Sequence, residues 1–239
     1  MNSYLYDISD DALSYERLRE SKDSLLKNKE LDLNKIETFQ KEILSYNKSS
    51  YAYFFALDFK YKQYLMQQII LNNKDPKYAF LFALNIKNSD IKALQNIVLL
   101  SEDINYICKF GCHISSVDST NIENFIIKSN KAKYAHMYLK HAKNADVLKF
   151  KKIILKSKLP RYCFELSKHI DNEKELKIIE NIIINSKSFL YMRLYAKHIK
   201  SANIDKIEEV LIEIGNIKEM KKFAKDIKKS KLRNFLITA

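Results

Sequence analysis

The sequence predicts an all-α fold, an α-solenoid of stacked two-helix repeats. Three observations predict it: a scarcity of chain punctuation, a tyrosine-anchored motif that recurs every 27 to 29 residues, and a capped second helix after each copy. Two Gly and two Pro among 239 residues leave little material for sheet turns or Gly-cradled phosphate loops. With 46% hydrophobic residues the chain buries a sizeable core.

Tyr51, Tyr78, Tyr106, Tyr134, Tyr162 and Tyr191 follow one another at steps of 27, 28, 28, 28 and 29, and Glu219 comes 28 later. With these anchors as position 0, position +4 reads Phe55, Phe82, Phe110, Tyr138, Leu166, Tyr195 and Phe223, and position +5 is mostly small, as at Ala56, Ala83 and Gly111. Positions 0, +1, +4, +5 and +8 share one face of a helix, here termed A, with a small-residue seam for close packing. The anchor tyrosines are expected in the core, and Tyr53, Tyr61 and Tyr64 as exposed rings.

A short polar turn ends in Asp90, Asp146 or Asn203, each placed to accept a free N–H of the following helix, termed B. The B helices close near Ser101, Ser129, Ser157 and Ser186. Pro76 and Pro160 stand two residues before an anchor, in the first turn of an A helix. Upstream, Ile36, Phe39 and Ile43 fit an earlier B helix. The predicted organisation is an N-terminal helical cap over residues 1–32 and about seven repeats over residues 33–239 in one continuous solenoid. A two-helix unit cannot bury its apolar face alone, so copies stack.

The phrase "YAxxFAxxI", followed by "KNAD" and an aliphatic residue, resembles degenerate short helical repeats of low-GC bacteria and their phages, and the arrangement resembles the HEAT and armadillo class at a shorter period. The resemblance spans roughly residues 33 to 232. It implies a solenoid and a phage or mobile-element setting, and no reaction.

Charge is distributed unevenly. Residues 121–239 hold 27 Lys+Arg against 13 Asp+Glu, whereas residues 1–120 hold 15 against 16, so the net +13 is entirely C-terminal. Position +6 carries Lys140, Lys168, Lys197 and Lys225; position +9 carries Lys143, Lys200 and Lys228, with Asp171 interrupting. Lys149, Lys151, Lys152 and Lys156 on one B helix widen the stripe. Repetition turns a preference for cations at helix C-termini into a basic row that attracts a polyanion by counterion release. Position +7 carries His113, His141, His169 and His198. Rungs about 9 to 10 Å apart are too distant for these to share a metal or a proton relay. They either cap helix C-termini or add a pH-tuned contribution to anion binding. Only five of the 42 basic residues are Arg, so base-specific readout is not expected.

Cys108 and Cys112 lie four apart with no second Cys pair, and read as structural thiols. Asp205, Glu208 and Glu209 read as a solvated face. No catalytic residue, cofactor or metal is expected. Three Cys and no secretory leader predict a cytoplasmic protein, and the apolar runs are too short for a membrane span. The expected function is a non-catalytic scaffold whose basic half docks nucleic acid or a nucleoprotein. Alternatives are a protein adaptor or inhibitor acting on a host enzyme or defence complex, and a HEAT-like alkylpurine DNA glycosylase.

Overall fold

The computed structural model describes residues 9–21, 33–143 and 145–233; the remainder of the expected N-terminal cap and Asn144 of the "KNAD" turn lie outside them. Among the described residues there are fifteen α-helices and no strand, and no helix is long and apolar enough to cross a membrane. The chain divides into two compact units, residues 1–125 and 126–239.

In the first unit, α1 (Ser9–Ser21) and α2 (Leu33–Tyr46) both pack on α3 (Ser49–Phe59). Then follow α4 (Gln63–Asn73), α5 (Pro76–Asn85), α6 (Ile91–Leu100) and α7 (Ile104–His113). Helix α8 (Ser119–Ser129) contains the division. The second unit holds α9 (Ala132–His141), α10 (Val147–Ser157), α11 (Pro160–Ser167), α12 (Glu173–Asn185), α13 (Phe189–His198), α14 (Ile204–Ile214) and α15 (Ile217–Asp226). Helices α3, α5, α7, α9, α11, α13 and α15 are the A helices, each holding its anchor at the third position.

Within the first unit α3 packs on α5 and α5 on α7; within the second, α9, α11, α13 and α15 pack each on the next. Position +5 is small in most of these helices, at Ala56, Ala83, Gly111, Ser167, Ala196 and Ala224, and is Leu139 in α9. The +4 side chains form the centre of the core: Phe55, Phe82, Phe110, Tyr138, Leu166, Tyr195 and Phe223 are all buried. Each such side chain contributes roughly 2 to 3 kcal/mol through removal of apolar surface from water.

The turns repeat as closely as the helices. Asp90, Asp146 and Asn203 accept the N–H of Ala93, Leu148 and Lys206, so each is the expected cap. At the B-to-A turn, Ser101, Ser129, Ser157 and Ser186 donate to the carbonyls of Val98, Ile126, Ile154 and Ile183. Each also accepts the N–H two residues on, from Asp103, Lys131, Leu159 and Ser188. The serine thereby pairs backbone groups that the helix end leaves free.

The residue after each serine position is left-handed in all seven turns: Asn47, Lys74, Glu102, Asn130, Lys158, Lys187 and Gly215, with φ between 49° and 74°. Only the last is glycine, the residue that adopts this conformation without penalty. A Cβ added at Gly215 meets nothing closer than 4.0 Å, so the cost of Gly215→Ala is backbone strain alone, about 1 kcal/mol. Lys187→Gly is expected to raise stability by up to about 0.5 kcal/mol, strain relief being partly offset by glycine's entropy. Urea unfolding midpoints of the two variants, shifted in opposite directions, check both.

Two expectations about aromatic rings are corrected. Of the six anchor tyrosines only Tyr78 is buried; Tyr51, Tyr106, Tyr134, Tyr162 and Tyr191 are half-buried, because position 0 sits at the rim of the buried stripe. Tyr53, expected outside, is buried, and its hydroxyl accepts a bond from Asn85 Nδ2 at 2.9 Å. Tyr64 is exposed as expected.

Candidate polyanion interface

In the second unit each A helix packs on the next, and a basic residue stands at or just beyond the C-terminus of each. Lys140 and His141 close α9, and Lys143 follows in the turn. Lys197 and His198 close α13, followed by Lys200; Lys225 lies in the last turn of α15, followed by Lys228. Helix α11 stops at Ser167, so Lys168 and His169 occupy the turn beyond it and not the helix. All ten of these side chains are exposed.

Their electrostatic partners differ. Lys168 Nζ lies 3.0 Å from Glu165 and over the Phe164 ring, and Lys197 Nζ lies 3.9 Å from Asp226. Among the described residues, Lys140, Lys143, Lys200, Lys225 and Lys228 join no ion pair. On α10, Lys152 and Lys156 are exposed, and Lys149 is 3.9 Å from Asp146. Lys151 is half-buried with its Nζ 2.6 Å from Glu175, so it serves the packing of α10 against the next B helix's first turn. An open cleft lies between two successive turns; Lys168, His198 and Lys200 line it, but so do Asp171 and Glu173. The positive row is weakest there.

His113 and His198 each rest near an aromatic ring of the preceding repeat, Phe80 at 6.2 Å and Phe164 at 6.1 Å. The fifth histidine, His136 at position +2, was not singled out by the sequence. It is buried with its ring 4.6 Å from Tyr162. Burial, reinforced by the positive charge of Arg161, pushes its pKa down to about 4. With the unfolded value near 6.5, the unfolded chain binds more protons between these limits, so stability falls as pH drops through that window. By pH 5 the loss is about 2 kcal/mol, and His136→Phe, which supplies the ring found at Phe80 and Phe164, is expected to remove it. Thermal unfolding of both proteins between pH 7 and 5 checks this.

A second column escaped the sequence reading. Eleven residues before each anchor stand Gln40, Gln67, Gln95, Glu123, Lys151, Glu180 and Glu208. All but Lys151 are buried. Gln67, Gln95, Glu180 and Glu208 each accept a backbone N–H 23 residues on, from Asp90, Asp118, Asn203 and Lys231. Glu208 is therefore corrected: it is not part of a solvated face but ties one repeat to the turn of the next. Six Gln or Glu at one repeat position, in step with the anchors, is the signal that reveals the column.

Cys108 is buried, and its thiol is pushed well above the ordinary range by a hydrogen bond with Cys112 and by burial. Burial raises Cys163 to about 11. Both remain protonated at neutral pH, when a thiol is a poor nucleophile. Among the described residues no group of three or more His, Cys, Asp or Glu is placed to hold a metal ion.

No family model matches the chain, and no curated protein and no solved structure matches it either.

Proposed function

We propose that the protein is a non-catalytic helical-repeat scaffold, a solenoid, whose basic C-terminal half docks a polyanion, nucleic acid or a nucleoprotein. The observation that carries this reading is the row of exposed lysines at the A-helix C-termini, several without an acidic partner among the described residues. A lysine held by a carboxylate has little to offer a phosphate; an unpaired one releases a counterion when it meets one. Residues 126–239 carry 27 Lys+Arg against 12 Asp+Glu, a net +15 (27 minus 12), so the field around the row is positive. The scarcity of Arg makes the binding backbone-directed and tolerant of sequence. Anisotropy of labelled single-stranded RNA, single-stranded DNA and duplex DNA against the full chain tests it at low salt. Binding to at least one of them without sequence preference is expected, and no binding to any sinks the proposal.

A further inference from the structure

Helix α1 shows what the outer face of the A helices accepts. It lies on α3, and Tyr15 is buried there, its ring 6.2 Å from Tyr51 and 5.4 Å from Phe54. One turn earlier, Asp11 accepts a bond from the Tyr78 hydroxyl at 2.5 Å and pairs with Lys77 at 3.1 Å. Burial raises the Asp11 pKa, but these two bonds and the charges of Lys77 and Lys48 bring it below its ordinary value. One turn later, Arg19 reaches Asp58 at 3.3 Å, and the Tyr15 hydroxyl donates to the same carboxylate. The footprint of α1 is thus positions −3, 0, +3 and +7 of one repeat and −1 and 0 of the next.

The same footprint on α9 and α11 reads Lys131, Tyr134, Met137 and His141, then Arg161 and Tyr162. The cations and the two tyrosines repeat those of the first site: Lys131 replaces Lys48, Arg161 replaces Lys77, Tyr134 replaces Tyr51 and Tyr162 replaces Tyr78, while Met137 stands in place of the Phe54 ring. At the remaining position His141, whose ring N–H can donate a hydrogen bond, stands where the acceptor Asp58 receives Arg19. Where α1 leaves Tyr78 only 3% exposed, Tyr134 and Tyr162 are half-buried, and Lys131, His141 and Arg161 are exposed. The next pair, α11 with α13, does not repeat it, since Glu165 and Leu190 fall where an aromatic or apolar side chain and a cation are needed.

We propose that the face formed by α9 and α11 docks an acidic amphipathic helix of a partner protein, carrying the pattern acid-x3-aromatic-x3-acid. The first acid meets Arg161, Lys131 and the Tyr162 hydroxyl; the aromatic ring covers Tyr134 and Met137; the second acid meets His141. Of the residues of the lysine row and its histidines this surface uses only His141, so variants at Lys131 and Arg161 test it apart from polyanion binding.

The probe is a fluorescein-labelled synthetic peptide with the sequence of residues 9–21 carrying Arg19→Glu, its ends blocked, titrated with the full chain by anisotropy. Saturable binding is expected. It should weaken about tenfold or more in the chain variant Lys131→Glu/Arg161→Glu, and equally when the peptide's own Asp11 is changed to Asn, a change that leaves the fold of the chain untouched. At a salt concentration that screens long-range charge, Lys143→Glu/Lys200→Glu/Lys228→Glu should weaken peptide binding far less than Lys131→Glu/Arg161→Glu does, because those side chains lie outside the footprint. Absence of saturable binding overturns the proposal, as does binding that Lys77→Glu weakens and Arg161→Glu does not, which would place the peptide on the α1 site. Displacement of the peptide by single-stranded RNA whose own binding needs Arg161 would assign the face to nucleic acid and overturn it too.

Discussion

Gln95→Leu is expected to cost about 2 to 4 kcal/mol of stability, although the new side chain is apolar, of similar volume and enters a buried site. Gln95 is 5% exposed on α6. Its Oε1 accepts the Asp118 N–H at 3.0 Å and its Nε2 donates to the Asp118 carbonyl at 2.9 Å. Leucine leaves both backbone groups unpaired, at about 1 to 3 kcal/mol for each buried group. Gln95→Glu keeps the acceptor but turns a carboxylate toward a carbonyl, so it should be intermediate; Glu180 and Glu208 already work through the N–H alone. Gln40, in the same column, has an Nε2 without a hydrogen-bond partner among the described residues, so Gln40→Leu should cost markedly less. Urea denaturation of the three variants ranks them, and equal costs at Gln95 and Gln40 would show that burial, not the turn bond, governs the column.

Lys143→Glu/Lys200→Glu/Lys228→Glu is expected to lower nucleic-acid affinity about a hundredfold or more at low salt, without a change in thermal stability. The three side chains lie in turns, are exposed, and join no ion pair among the described residues, so the fold loses nothing when they are reversed. Lys168→Glu and Lys197→Glu should each do less, since Glu165 and Asp226 already hold those amines. Pairing thus sets Lys168 and Lys197 apart from lysines that look like them in the sequence.

Much of the fold was legible because its signals are local. The +4 column, the Asp and Asn caps and the prolines of α5 and α11 each act within one or two turns of helix, so spacing alone finds them. The −11 column is periodic in the sequence, but its periodicity does not tell burial from exposure. A glutamine whose partner lies 23 residues away looks the same in sequence as one facing water; Glu208, read as solvated, is 4% exposed. The anchors were misread for a related reason. Tyrosine at position 0 extends the apolar stripe, yet its hydroxyl needs water or a partner; Tyr78 donates to Asp11 of α1 and is buried, whereas the other five anchor tyrosines are half-buried. Of the candidate interface, the lysine positions were readable, but the ion pairs that distinguish Lys168 from Lys200 depend on side chains that meet only in the folded chain.

The salt dependence of binding is the most direct measurement. Affinity for a labelled single-stranded oligonucleotide, followed from low to physiological salt for the native chain and for Lys143→Glu/Lys200→Glu/Lys228→Glu, should give a steep negative slope that becomes shallower by about two in the variant. A native chain whose binding is absent or insensitive to salt, or a variant with an unchanged slope, would contradict the lysine row as a polyanion surface.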